Sequence, residues 1–153
     1  MQNKTELITN RDGSIFHLNL LPEDISDKII IVGDPGRVDM LAELLHDIRV
    51  RKENREFKTV TGTFENGEIT IISSGIGTDN IDIVINELDA LVNIDLKTGM
   101  IKEEPVSLTF IRTSFPLNIT YGMRRSYRFF SICCCHHYSA DILFGDFFAV
   151  CSL

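Results

Sequence analysis

The run Ile29-Ile30-Ile31-Val32-Gly33-Asp34-Pro35-Gly36-Arg37 constrains the fold more than any other stretch of the chain. Its four β-branched residues read as a buried strand, and the Gly-Asp-Pro-Gly that follows stops the strand and starts a helix. Asp34 suits the cap, and Pro35 suits the first helical position, where a missing N–H costs nothing. Such a junction can hold an anion. The glycine lets backbone N–H groups approach, the helix N-terminus supplies unpaired donors and a positive dipole end, and Arg37 adds a full charge. An ordinary strand-to-helix turn is written the same way, so the stretch by itself leaves both readings open.

The residues downstream bear on the choice. Val38, Leu41, Leu44 and Leu45 recur at helical spacing, which predicts an amphipathic helix packed on a sheet. Asp47 and the basic cluster Arg49-Val50-Arg51-Lys52 are expected to close that helix beside its negative dipole end. Phe57–Phe64 and Glu68–Ser74 flank Glu65-Asn66-Gly67, and an Asn-Gly pair between two strand-like runs predicts a hairpin. Just ahead of it, Arg55-Glu56 falls at a strand edge or loop, where such a pair is ordinarily a solvated ion pair worth little. Ser74-Gly75-Ile76-Gly77 is a second glycine turn, and Ile81, Val84, Ile85, Leu88 and Leu91 mark the helix after it. Asn93 to Pro105 reads as a polar connecting loop. Ser107–Arg112 reads as a third buried strand ending in a basic residue. In an open α/β sheet ligands collect beyond the carboxyl ends of the strands, so Arg112 is expected to face the same crevice as the two glycine turns.

Upstream, Ile15, His17 and Asn19 alternate with Phe16, Leu18 and Leu20, a segment suited to a surface or a partner. His17 is either a charge switch near physiological pH or a polar edge residue. A chain of 153 residues makes one domain with a real core, and a formal charge of −7 argues against nucleic acid or an anionic membrane as partner. Phosphate binding must then be local. Met1–Glu6 is polar rather than leader-like and no apolar run would span a bilayer, so a cytoplasmic protein is expected.

By residue 112 the chain resembles the nucleoside phosphorylases, and within them the uridine phosphorylases. The resemblance rests on Phe16-His17-Leu18, Val32–Val38, Arg55-Glu56-Phe57, Ser74-Gly75-Ile76-Gly77, Asn86-Glu87-Leu88 and Phe110-Ile111-Arg112, in order and at similar spacing. It implies an α/β fold with a mixed central sheet flanked by helices in three layers. It also implies phosphorolysis of a pyrimidine nucleoside to free base and ribose 1-phosphate, with inorganic phosphate as co-substrate and no cofactor. By the same resemblance Gly33, Arg37 and Arg112 bind phosphate, Arg55 reaches the phosphate of a neighbouring subunit, and His17 reaches a neighbour's ribose. A homo-oligomer is therefore implied. Glu56 and Ile76 match residues that some relatives use for a monovalent cation, but Asn80 stands where a serine is usual, and no metal is expected. Three arginines suit a phosphate, each donating in a planar fork, whereas a nucleosidase that uses water has no need of them.

The resemblance ends at Arg112, dividing the chain into residues 1–112 and a non-matching tail, 113–153. Where the family has a Gly-Thr-rich loop the chain reads Thr113-Ser114-Phe115-Pro116-Leu117-Asn118, and the base-recognising and ribose-binding motifs have no equivalents after it. All four cysteines and all three tyrosines lie in this tail. A shifted reading frame accounts for so abrupt a change, and a divergent C-terminus is the rival. Cys133-Cys134-Cys135-His136-His137 lacks the paired Cys-x2-4-Cys spacing of structural zinc sites, and disulfides do not suit the expected compartment. The expectation is a uridine phosphorylase-type fold, incomplete at its C-terminus and impaired in activity. A non-catalytic phosphate- or nucleotide-binding fragment and a purine nucleoside phosphorylase are the alternatives.

Overall fold

The computed structural model describes residues 7–65, 67–113 and 128–132, of which 113 and 128–132 are described by backbone alone. After a single 3-10 turn at Pro22–Asp24, the elements run β1 (Lys28–Val32), α1 (Pro35–Ala42), β2 (His46–Asn54), β3 (Phe57–Phe64) and β4 (Gly67–Ser73). Then come α2 (Thr78–Asn93), β5 (Ile94–Asp95), β6 (Met100–Ile101), β7 (Thr109–Thr113) and β8 (Arg128–Ile132). Six strands form one mixed sheet in the order β2-β3-β4-β1-β7-β8. β1 pairs in parallel with β4 and β7, β7 in parallel with β8, and β2-β3-β4 form an antiparallel meander.

The unbroken apolar run of β1 follows from its central place, since both of its faces are covered. Ile29 and Ile31 join Ile72, Phe110, Leu108 and the α2 residues Ile81, Val84, Ile85, Leu88 and Leu91 in one core. The N-terminal segment adds Ile15, Leu18 and Leu20 to the same layer. Val32 faces the other way, into a smaller core with Val38 and Ala42 of α1 and with Leu45, Val60 and Ile71. The architecture is thus three layers: α2 with the N-terminal segment, the sheet, and α1. Among the described residues no helix is long and apolar enough to cross a membrane.

Several local expectations need correction. α1 ends at Ala42, and the basic cluster does not close it but lies on the edge strand β2. There Val50 alone is buried, while Arg49 and Arg51 reach outward to Glu68 and Asp39. The chain enters β2 through a register shift after His46, with Asp47 in the left-handed region at φ 46°. Asn93–Pro105 is not all loop, because β5 and β6 pair within it. Buried Asn93 ties that ribbon down, its side chain exchanging hydrogen bonds with the backbone of Val106 at 2.7 and 3.1 Å. The segment around His17 does not alternate as a strand: Ile15, Leu18 and Leu20 are buried and Phe16 is exposed, because the chain turns there. The Asn66 half of the hairpin turn, Ser114–Asn118 and the Cys133–His137 run lie outside the described residues.

Candidate functional site

β1, β4 and β7 run in parallel, so their carboxyl ends share one edge of the sheet. β3 is antiparallel to β4, and its first residues therefore reach that same edge. The glycine turns after β1 and β4 are in contact there: Ser74 N donates to the Val32 carbonyl at 2.8 Å. A Cβ placed on Gly33 would lie 3.5 Å from the Gly75 carbonyl oxygen and 3.7 Å from Ile76 Cγ2.

Those two glycines differ. Gly75 has φ +67°, and a Cβ on it would come within 3.0 Å of Asn80 Nδ2, so the protein itself requires glycine. Gly33 has no left-handed φ, and a Cβ on it would meet only ordinary contacts. Nothing among the described residues demands glycine at 33; what the bare backbone leaves open is approach from outside, beyond the strand end.

Arg112 ends the described side chains of β7, in register beside Ile31. It shares a face with Phe110, two residues earlier, and so lies on the α2 side of the sheet. Its Nη1 is buried and has no hydrogen-bond partner among the described residues. Burial pulls the guanidinium below its ordinary value, yet arginine remains charged at neutral pH. A buried, charged donor without an acceptor is costly. A bound anion would remove that cost.

Arg37 starts from the other face, since α1 covers the opposite layer. It is exposed in the first turn of α1, four residues beyond Gly33. The two arginines therefore share the carboxyl edge and not a face, and one ligand touching both must sit over that edge. The helix end contributes less than the sequence suggests. Asp34 Oδ1 accepts from Gly36 N at 2.8 Å, the Asp34 carbonyl accepts from Arg37 N at 3.0 Å, and Pro35 has no N–H. The cap has used the donors that were expected to be free, which leaves the anion to side chains and to the glycine turn.

Arg55 and Glu56 do not pair with each other as expected. They form the β2–β3 turn, with exposed Arg55 at φ 57°. Glu56 Oε1 accepts from Asn80 Nδ2 at 3.0 Å, and the Glu56 carbonyl accepts from Ser73 Oγ at 2.6 Å. The turn carrying Arg55 is thus clasped to the end of β4 and the first turn of α2. Asn54, the last residue of β2, donates through Nδ2 to the His17 carbonyl at 2.7 Å. His17, Arg55, Gly33 and Gly75 all belong to one end of the molecule through this chain of contacts. The His17 ring meets Glu87 of α2, with Nδ1 at 2.6 Å from Oε1. From the sequence alone Glu87 has no evident role. Its one signal was a carboxylate between Val84 and Leu88 on a helix whose apolar positions face the core.

The model of the Phosphorylase superfamily matches residues 27–101. A guanosine phosphorylase of Halorubrum lacusprofundi is 40% identical over 72 residues, 47% of this chain and 30% of its own length. A uridine phosphorylase of Thermococcus kodakarensis is 32% identical over 80 residues, 52% of this chain and 29% of its own length. Among solved structures, a Trypanosoma brucei nucleoside phosphorylase that shows uridine phosphorylase activity superposes with a TM-score of 0.62 at 32% identity, over 71% of this chain and 38% of that one. A uridine phosphorylase of the oomycete Phytophthora capsici gives 0.58 at 30% identity, over 73% of this chain and 35% of that one. The chain spans about a third of the length of the relatives it matches.

Proposed function

The N-terminal part of the chain belongs to the nucleoside phosphorylase family, and from that premise we propose that it supplies the phosphate half of a uridine phosphorylase-type pentosyltransferase site. The reaction is phosphorolysis of a pyrimidine nucleoside to free base and ribose 1-phosphate. Gly33, Arg37 and Arg112 hold inorganic phosphate over the carboxyl edge of the sheet. Arg55 adds a guanidinium to the phosphate of a neighbouring subunit, and His17 meets that neighbour's ribose. Cleavage of the glycosidic bond builds positive charge on the ribose. A fixed phosphate dianion beneath the ring both stabilises that charge and attacks, so positioning and electrostatics carry the catalysis.

The observation that carries this reading is the buried Nη1 of Arg112, which has no hydrogen-bond partner among the described residues. Its support is a neighbouring Gly33 that the chain's own packing does not require. The exposure of Ile76 and Phe16, at the end of the molecule that holds His17 and Arg55, supports an oligomer in which that end is covered.

The nucleoside half is another matter. Residues 113–118 lack the glycine of the family's phosphate and ribose loop, and residues 113–153 hold no recognisable base-binding motif. The chain by itself is therefore expected to bind phosphate without turning over nucleoside. Incubation with phosphate and either uridine or guanosine, followed by chromatography of the bases, tests this: neither uracil nor guanine is released. Release of uracil would overturn the impairment while upholding the pyrimidine assignment. The second reading, a purine enzyme, has the 40% identity to a guanosine phosphorylase in its favour. Release of guanine without uracil would establish it against the first.

A further inference from the structure

We propose that Glu87 is the positioning residue for His17, fixing the imidazole so that Nε2 is offered outward as a hydrogen-bond acceptor for a free hydroxyl group. The assignment of that hydroxyl to ribose rests on the function proposed above; the role of Glu87 does not.

Glu87 projects from the middle of α2, seventy residues from His17 in sequence, and is half-buried. Its carboxylate receives the whole turn at His17. Oε1 and Oε2 each lie 3.1 Å from the His17 N–H, Oε2 accepts from the Leu18 N–H at 2.9 Å, and Oε1 lies 2.6 Å from His17 Nδ1. An ionised carboxylate only accepts, so Nδ1 must carry a proton, and in the neutral ring the lone pair is then on Nε2. The other constraints fix the ring's place. Ile15 and Leu18 are buried on either side, Asn54 Nδ2 holds the His17 carbonyl, and the Phe16 ring stands edge-on to the imidazole at 4.9 Å and 86°. About a third of the His17 side chain remains exposed, and Nε2 has no partner among the described residues.

The chemistry of the ligand group follows. A neutral Nε2 takes a hydrogen bond from an O–H. A phosphate monoester in the same place brings only acceptor oxygens and negative charge toward a ring already paired with a carboxylate. In the neutral ring, Nε2 therefore favours a partner that has an O–H to donate.

The test uses the full chain labelled with 15N-histidine. Two-bond proton–nitrogen correlations, recorded at alkaline pH and assigned by the signals lost in His17→Asn, report which ring nitrogen is protonated. The wild-type ring is expected in the Nδ1–H form, and Glu87→Gln, whose amide cannot accept from the ring and both backbone N–H groups at once, is expected to give a mixture with Nε2–H. An Nε2–H ring in the wild type overturns the proposal, and that spectrum needs no variant to fold. An Nδ1–H form unchanged in Glu87→Gln overturns it as well. Calorimetry with uridine and 5′-deoxyuridine in the presence of phosphate then tests the hydroxyl. The wild type should prefer uridine by about fivefold, the worth of one ordinary hydrogen bond, and Glu87→Gln should lose the preference. Equal binding of the two nucleosides by the wild type, with the Nδ1–H form present, removes the ribose assignment and leaves the role of Glu87 standing.

Discussion

Gly33 and Gly75 end neighbouring strands, yet a methyl group on each is expected to act differently. Gly75→Ala forces a left-handed backbone onto an L-residue and drives its Cβ toward Asn80 Nδ2, so it should destabilise the fold by at least about 1–2 kcal/mol in urea unfolding. Gly33→Ala should unfold within about 0.5 kcal/mol of wild type and still weaken phosphate binding, because only a ligand needs the bare backbone there. Equal loss of stability in the two variants would remove that argument. Arg55 gives a complementary case. It holds φ 57°, a conformation that costs an arginine roughly 1–2 kcal/mol. Arg55→Gly should therefore raise the unfolding midpoint while weakening phosphate binding in the assembled protein. Unchanged binding would take Arg55 out of the site and leave its strain unexplained by function.

At the scale of elements, legibility followed burial. β1, β7 and α2 were readable because core positions impose a pattern on sequence, and the β3–β4 hairpin because Asn-Gly marks a tight turn. β2 was not, because an edge strand with one buried residue, Val50, has no hydrophobic alternation to show. The end of α1 was misplaced for a related reason. Leu44 and Leu45 keep helical spacing, but they lie in the turn after Ala42, where Leu45 packs into the smaller core and Leu44 stays in solvent. The candidate site divides the same way. Glycine turns and strand-end arginines have local signatures, whereas Glu87–His17 and Asn80–Glu56 join residues that only the tertiary fold brings together. Two substitutions test the element assignments. Asp34→Ala removes the acceptor for Gly36 N and should cost about 1 kcal/mol in urea unfolding. Leu88→Ala opens a cavity where α2 packs on the sheet and should cost about 2–5 kcal/mol, enough to unfold a marginal domain.

For the molecule as a whole, surface charge ties the layers together. Asp39 of α1 receives Lys58 of β3 at 2.6 Å and Arg51 of β2 at 3.0 Å, and hydrogen bonding to Lys58 holds its carboxyl below the usual range. Hydrogen bonding to Arg49 does the same for Glu68. Carboxylates with depressed folded values contribute fully above their unfolded values, about 4, and lose the contribution as pH falls through the folded ones. The urea midpoint should thus drop below about pH 4, and Lys58→Met should flatten part of that drop; a midpoint indifferent to acid would deny these pairs any role. Lys58 itself is raised by Asp39, so its share is lost only at alkaline pH.

On the function proposed above, the carboxyl edge of the sheet is an anion site anchored by the buried Nη1 of Arg112. Titration calorimetry of inorganic phosphate into wild-type protein and into Arg112→Met tests it most directly. The account predicts saturable binding by the wild type, weakened at least about tenfold in the variant, as expected when a charge-assisted donor is lost. Binding that is absent from the wild type, or equal in the two proteins, would contradict it.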